Sequence, residues 1–478
     1  MPNDISPNAN TPLTMLDKQF SLMRNASRQY PQATWAVRLQ RLNQLEKLVA
    51  DNQSAIIEAI SQDFGFRSPA ETTMLEIFPS LEAVRHAIRH GKAWLAPKRV
   101  RTGKWFLPAT SYVQPRPLGV VGIIAPWNYP LYLVIAPLAG ALVAGNRAML
   151  KVSEATPYFE QWLAMALPQY FSADEVTLIQ GDIEVAKAFS QLAFDHLFFT
   201  GSTAIGKQIM QSASANLTPV TLELGGKSPV VITPSADIAY TAKRVWTGKS
   251  LNAGQTCIAP DYALINPSQQ ALFIDQSKQW FNEHYPNLQT NSDYSFMVNR
   301  KQALRVKGYL EEAQSLGATL HPLTTHHVNI NTGFFPPMIV TDLPPHAKLL
   351  NEEIFAPILP LVSYHQLDDA VAYINACDRP LALYIFGENH TEVQQVLTQT
   401  VSGGACINET LYHIAQQSLP FGGVGASGMG RYHGHYSFDT FSHAQAVFKQ
   451  VRPNFTNLLQ PPYGKLFWRM MGLIIKWR

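Results

Sequence analysis

Four short segments hold the residue types that acyl chemistry needs. Cys257 stands in NAGQTCIAP, flanked by Gly254 and Pro260, so it falls in a tight connection between the helical TAKRVWTGKSL and the strand-like DYALI. A cysteine is commonly a small buried hydrophobe, but in polar loop sequence backbone amides can stabilise a nucleophilic thiolate. Glu223 lies in PVTLELGGKSP, where Val220, Leu222 and Leu224 alternate with Thr221 and Glu223, turning the carboxylate away from the apolar face. It is either solvated or a general base at the end of a buried strand. Asn128 in PWNYP either caps the next helix or donates its amide to an oxyanion. In HLFFTGSTAIGKQI a strand ends at Thr200-Gly201-Ser202 and a helix follows. Ser202 caps that helix, whose first amides favour an anion such as a pyrophosphate. The Gly201-to-Gly206 spacing is not GxGxxG, so a plain capped helix stands beside the phosphate reading. A fifth segment, EEIFAP (Glu352 to Pro357), reads as a solvated loop.

These segments need a scaffold, and the pattern around them is that of a parallel α/β chain. LGVVGIIAP, RAMLKVS, VTLIQGD and HLFFTGS are short apolar runs, each followed by a helical stretch. Residues from about Met15 to Lys98 read as mostly helical, and a second α/β series runs from about Gly226 to Pro420. Pro117 to Asn146 holds no charge and is long enough to cross a bilayer. Pro126, Pro130 and Pro137 break it into strand, turn and apolar helix, as in a sheet covered on both faces.

Composition narrows the function classes. Only 15 % of the 478 residues are charged and the net charge is +3, which argues against nucleic acid as partner and for surface hidden elsewhere. Cys257, Cys377 and Cys406 form no CxxC pair, so neither a disulfide framework nor a thiolate zinc site is expected. MPNDISPNANTPLTM lacks a secretory pattern, which makes the cytoplasm the default compartment and the first dozen or so residues a disordered lead-in.

Taken in order, PWNYP, KVSE, FTGST, LELGGKSP, GQTCIAP, EEIFAP and LPFGGVGASGMG resemble the motif series of the aldehyde dehydrogenase superfamily from about Leu16 to Val451. SGMGRYHGHYSFDTFSH with GQTCIAPDY resembles the class 3 branch, which includes aromatic and fatty aldehyde dehydrogenases, and the tail with LLQPPYGKLF is similar to that of bacterial coniferyl aldehyde dehydrogenases. The resemblance implies an α/β fold with a Rossmann-type NAD(P)-binding domain over 1–105 and 119–224 and a catalytic α/β domain over 225–420. It further implies a β oligomerisation arm from 106–118 and 431–455, with a tail at 456–478, and a homodimer as the assembly.

The same resemblance implies residue roles. Cys257 attacks the aldehyde carbon, Asn128 and the Cys257 amide hold the oxyanion, and Glu223 activates water against the thioester. Lys151 and Glu154 face the adenosine ribose, Gly201 and Ser202 the pyrophosphate, and Glu353 the nicotinamide ribose with Phe355 packing nearby. Glu154 suits a free 2′-hydroxyl and Lys151 can offset a 2′-phosphate, so the cofactor is NAD or NADP. Tyr129, Tyr132, Thr410, Tyr412 and Ile414 are substrate-tunnel candidates by position, and their rings suit aromatic or alkyl substrates alike. Ala253, Val152 and Ala356 depart from common family residues without touching the activity class. Cys377 and Cys406 read as packing, and no metal is expected at His433, His435 or HPLTTHH. The alternatives are acyl transfer or ester hydrolysis on the same thiol, or a silent binding homologue. Cys257, Glu223 and Asn128 together weigh against silence.

The C-terminus differs from the body. Six basic residues follow Asp439 (Lys449, Arg452, Lys465, Arg469, Lys476 and Arg478) with no acid, leaving the preceding body at −3. Wound as a helix, Lys465, Arg469, Gly472 and Lys476 form one stripe, while Leu466, Phe467, Met470, Met471, Leu473, Ile474, Ile475 and Trp477 fill most of the rest. That suits either an anionic membrane interface or packing over the substrate entrance or a partner subunit.

Overall fold

The computed structural model describes residues 12–452, 454 and 459–476. Most of the expected lead-in, together with Trp477 and Arg478, lies outside the described residues. The first sheet runs in the order Gly428–Met429, Val220–Leu224, His196–Gly201, Val120–Ile124, Arg147–Lys151, Val176–Leu178. All its pairings are parallel except that of Gly428–Met429. The chain starts in the middle at Val120–Ile124, winds out one side, and returns to build the other. The strand order therefore reverses between Val120–Ile124 and His196–Gly201, and the loops leaving their carboxyl ends diverge to open a crevice.

Strand alternation decides what covers each face. Val120, Ile124, Met149, Leu197, Phe199, Leu222 and Leu224 join one buried cluster with Leu16 and Phe20 of the helix Pro12–Gln29 and Ile209 of Thr203–Ser214. Val121, Ile123, Ala148, Leu150 and Phe198 join the opposite cluster with the helix Tyr132–Ala144. Every residue of that helix is buried, as the charge-free sequence demands; helices Trp35–Ala50 and Phe78–Trp94 wrap its outer side.

The second sheet has the order Thr319–Pro322, Met338–Thr341, Ile358–Ser363, Pro260–Ile265, Ser228–Ile232, Ala382–Phe386, Gly404–Ile407, parallel apart from its first pair. The segments entering its strands at the amino ends carry Cys257, Glu353 and Gly226, and they meet the carboxyl ends of the first sheet. A third, antiparallel sheet joins Lys98–Val100, Thr110–Pro117 and Ser442–Lys449. Two boundaries differ from the sequence reading. Lys98–Val100 pairs into this third sheet instead of belonging with 1–105. Within 431–455, Gly434–Thr440 is a helix packed on the body, with the Phe438 and Trp94 rings 5.9 Å apart. The helix Lys465–Lys476 has no buried residue, and none of the described helices is long and apolar enough to cross a membrane.

Candidate active site

Between the two sheets lies a cavity of about 220 Å³, lined by Asn128, Gly201, Ser202, Glu223, Cys257, Glu353 and Phe355 among others. Seven residues singled out from separate segments thus share one wall. Asn128 follows Val120–Ile124 and Ser202 follows His196–Gly201, so the crevice of the first sheet supplies one side. Cys257 precedes Pro260–Ile265, and Glu353 precedes Ile358–Ser363, supplying the other.

Asn128 is 3 % exposed, and its Nδ2 donates to the carbonyl of Gln255 at 3.1 Å. It does not cap the helix Tyr132–Ala144. That duty falls to the Glu76 carboxylate, which accepts from Leu131 N at 3.0 Å and Tyr132 N at 2.8 Å. The amide of Asn128 is therefore directed toward the Cys257 loop. That loop turns sharply at Asn252 and Ala253, whose φ values are 54° and 51°, followed by Gly254 at 72°. Gln255 anchors it through Nε2 to Asn252 O at 2.9 Å and Phe296 O at 3.0 Å.

Glu223 turns away from the apolar cluster, as the alternation predicts, but it is not solvated. It is 3 % exposed, and neither carboxylate oxygen has a hydrogen-bond partner among the described residues. Burial holds its proton affinity well above the usual carboxylate range. Burial, then the charges of Glu353 and Glu223, push the Cys257 thiol up to about 12, against the pull of the Cys257 and Ile258 amides. Burial and Asp261 likewise push Glu353 up to about 8. Near neutral pH the Cys257 thiol and most of the Glu353 carboxyl therefore hold their protons.

EEIFAP is no solvated loop either. Asp261 accepts from Ile354 N at 3.0 Å, Lys227 bonds the carbonyls of Leu349 and Glu352 at 2.9 Å, and Arg305 bonds those of Glu353 and Ile354 at 3.2 and 2.8 Å. Phe355 is held at φ 54° with its ring edge-on to Trp127, centroids 5.5 Å apart. Gln302 and Arg305, on the helix Arg300–Ser315, line the cavity and were not singled out from sequence.

The remaining candidates sit elsewhere. Lys151 is buried, 3.8 Å from Glu160, and Glu154 lies exposed in the next turn; neither lines this cavity. Tyr129 is buried with its hydroxyl 2.6 Å from Thr256, beside Cys257 in the chain. Tyr132 meets His433 at 3.0 Å, within electrostatic reach of Cys257. None of the five tunnel candidates lines this cavity; Thr410 and Tyr412 contact Arg244, the first bonding its carbonyl at 3.1 Å, the second half exposed beneath its guanidinium. Ile414 packs against the core. Cys377 is exposed at the end of Leu367–Ala376 and so is not a packing residue, whereas Cys406 sits 3.2 Å from His413. No cluster of His, Cys, Asp or Glu among the described residues could hold a metal ion.

The wall fits a nicotinamide dinucleotide. Ser202, which caps Thr203–Ser214, lines the cavity, and the buried Thr200 hydroxyl beside it has no protein partner among the described residues. Gly225 lets the Glu353 carboxylate approach where a Cβ would stand 2.2 Å from it.

The aldehyde dehydrogenase family model matches residues 10–447. The chain is 46 % identical to the probable coniferyl aldehyde dehydrogenase of Pseudomonas aeruginosa, over 95 % of this chain and 94 % of that one. It is 40 % identical to the 4,4′-diaponeurosporen-aldehyde dehydrogenase of Staphylococcus aureus, over 90 % of this chain and 93 % of that one. The solved substrate-bound AldH of Staphylococcus aureus superposes with a TM-score of 0.92 at 37 % identity, covering 96 % of this chain and 99 % of that one. A buried thiol, a directed amide and a dry carboxylate at the switch point of a Rossmann-like sheet meet a family match across nearly the whole chain: it belongs to the aldehyde dehydrogenase family and is an NAD(P)-dependent oxidoreductase acting on aldehydes.

Proposed function

We propose that the chain oxidises aromatic aldehydes of the coniferyl type to their acids, with Cys257, Asn128 and Glu223 as the catalytic residues. The observation that carries this reading is the convergence of those three side chains on one cavity. Its aromatic bias draws on Tyr129 and Tyr132 beside the thiol segment and on the 46 % identical relative named for coniferyl aldehyde.

Cys257 forms a bond to the aldehyde carbon, and its thiol proton ends on the former carbonyl oxygen, giving a thiohemiacetal. Asn128 Nδ2 and the Cys257 amide donate to that oxygen as charge develops on it, a stabilisation whose loss costs about 10²–10³ in rate. A bound nicotinamide cofactor would supply the hydride acceptor; with the hydride gone from the thiohemiacetal carbon and its hydroxyl proton passed to water, an acyl thioester would remain on Cys257. Glu223 then takes a proton from water as the hydroxyl adds to the acyl carbon, and the C–S bond breaks to return the thiol. Gly201 and Ser202 hold the pyrophosphate, Glu353 and Phe355 the nicotinamide end, and Lys151 and Glu154 the adenosine ribose.

The enzyme works as a homodimer through the sheet of Thr110–Pro117 and Ser442–Lys449, in which Ser442–Lys449 is the edge strand among the described residues and can pair with a second copy. It is cytoplasmic, and its tail rests on anionic lipid at the inner membrane face. The support is the helix Lys465–Lys476, where Leu466, Trp468, Leu473 and Ile475 are 66–75 % exposed beside a basic stripe. That tail also favours a second reading, a long-chain apolar aldehyde met at the membrane.

The test is reduction of NAD⁺ and NADP⁺ with coniferyl aldehyde and with long-chain alkanals, with Cys257→Ala as control. A kcat/KM higher for coniferyl aldehyde supports the aromatic reading, and the reverse order replaces it with the second. Turnover by Cys257→Ala equal to wild type removes the mechanism.

A further inference from the structure

The segment from Arg67 to Ile77 lines no part of the cavity, yet it bonds the backbone on both sides of it. Arg67 is fully buried, sandwiched between the rings of Phe64 and Tyr129 at 5.0 and 4.9 Å. Its NH1 donates to Glu76 Oε1 at 2.9 Å and to the carbonyl oxygen of Asn128 at 3.0 Å. The other oxygen of Glu76 takes the amides of Leu131 and Tyr132. One ion pair thus grips both ends of the turn from Asn128 to Tyr132.

The same segment reaches the nucleophile's loop. Glu71 Oε2 accepts from Asn252 N at 2.9 Å and from Ser295 Oγ at 2.5 Å. Asn252 Nδ2 donates to the Asn128 carbonyl at 2.9 Å and the Gln255 carbonyl at 3.2 Å. The Asn128 carbonyl therefore has two donors, Arg67 from the helical layer and Asn252 from the thiol's loop. With one Asn128 amide hydrogen spent on Gln255, the direction of the other is set by these contacts.

Stability alone does not account for a buried guanidinium here. A buried ion pair can be replaced by apolar groups of similar volume at little cost, so what it supplies is geometry. Catalysis depends on that geometry, since misplacing a reacting group by about 1 Å can cost about 10²-fold in rate.

We propose that Arg67 and Glu76 are positioning residues that aim the Asn128 amide at the carbonyl oxygen held over Cys257. The proposal rests on the roles given above to Asn128 and Cys257, and it adds the device that registers them. Arg67 touches neither substrate nor cofactor in this scheme; its effect passes through Asn128.

The experiment is a double-mutant cycle in the full-length protein. Arg67→Met/Glu76→Gln removes both charges while leaving an acceptor for Leu131 and Tyr132. Arg67→Lys, which keeps the charge but lacks the planar fork, runs through the same cycle as the second variant. Each is measured for kcat, for KM, for cofactor affinity by fluorescence and for thermal unfolding, alone and with Asn128→Ala. The expected result is a fall in kcat of about 10- to 100-fold, with cofactor affinity within about twofold of wild type. In the Asn128→Ala background the same change costs less than about twofold, because the amide being aimed is gone. Losses that multiply in the two backgrounds, or an unchanged kcat in both variants, overturn the proposal. The Cys257→Ala control keeps the two questions apart. Full turnover in it sinks the catalytic roles, whereas multiplied losses beside an inactive Cys257→Ala sink only the positioning pair.

Discussion

A Cβ placed on Gly225 would stand 2.2 Å from Oε2 of Glu353 and 2.5 Å from Oε1. The next amide, Gly226 N, donates to that carboxylate at 3.1 Å. The closing turn of the Glu223 strand and the Glu353 turn are thus fitted to one another without an intervening side chain. Gly225→Ala pushes only on the far end of a flexible side chain, so the fold should survive within about 1 kcal/mol. Glu353 must move, however, and the KM for the cofactor should rise by about tenfold, roughly 1.4 kcal/mol of binding. An unchanged KM would show that Glu353 does not help hold the cofactor.

Alkylation of Cys257 by iodoacetamide in the cofactor-free enzyme reports its thiolate directly. With the thiol pushed up to about 12, the rate should climb about tenfold per pH unit through pH 9 without a plateau. Glu353, pushed up to about 8, is mostly protonated at pH 7 and ionised at pH 9. Glu353→Gln removes that negative neighbour, lowers the thiol's proton affinity and speeds alkylation, more so at pH 9 than at pH 7. A plateau below pH 8 contradicts the assignment.

Glu223→Gln separates the two halves of the reaction. Hydride loss does not need the carboxylate, so rapid mixing should still show a burst of reduced cofactor near one equivalent per site. Steady turnover should then fall by about 10²-fold or more for want of the base. Loss of the burst along with turnover would place Glu223 in the first half instead.

Gly254 has φ +72°, and a Cβ there would meet the carbonyl oxygen of Ala356 at 2.6 Å. Unlike the clash at Gly225, this one is with backbone. Gly254→Ala should cost about 1–3 kcal/mol, read as a lower urea midpoint at unchanged slope, and should displace Cys257 with a matching drop in alkylation. Wild-type stability would mean the loop relaxes freely.

The tail can be tested by sedimentation with phosphatidylglycerol vesicles. Chains ending at Gln460 should lose the binding that the full-length protein shows, and that binding should weaken as salt rises. Equal sedimentation of both would remove the membrane role.

The strand–turn–helix units of the first sheet are plain in the sequence because strands buried on both faces read as continuous apolar runs. VVGII carries no polar side chain, and in HLFFTG the run Leu197–Phe199 is continuous between His196 and Thr200. Glu223 is harder, since alternation tells which way a side chain points but not what covers that face. Here the face is closed by the second sheet's entry loops. EEIFAP looks solvated because its partners Lys227, Asp261 and Arg305 come from distant segments. Glu71 and Glu76 escape notice for a related reason. Acids spaced along a helical segment resemble a wet surface, and only tertiary packing reveals them as buried. The contacts of Thr410 and Tyr412 with Arg244 are likewise illegible in sequence, since Arg244 lies about 170 residues earlier in the chain.

The short strand Gly428–Met429 has a consequence for synthesis. It lies antiparallel beside Leu222 and Glu223, and Gly428 pairs with Glu223 itself. The Glu223 strand is made before the midpoint of the chain but gains its second neighbour only from residues near the end. A ribosome that stalls, or a protease that clips ahead of Gly428, therefore leaves Val220–Leu224 as an open sheet edge. Such a fragment would retain Cys257, Asn128 and Glu223 but hold the Glu223 strand from one side only, through its pairing with His196–Gly201.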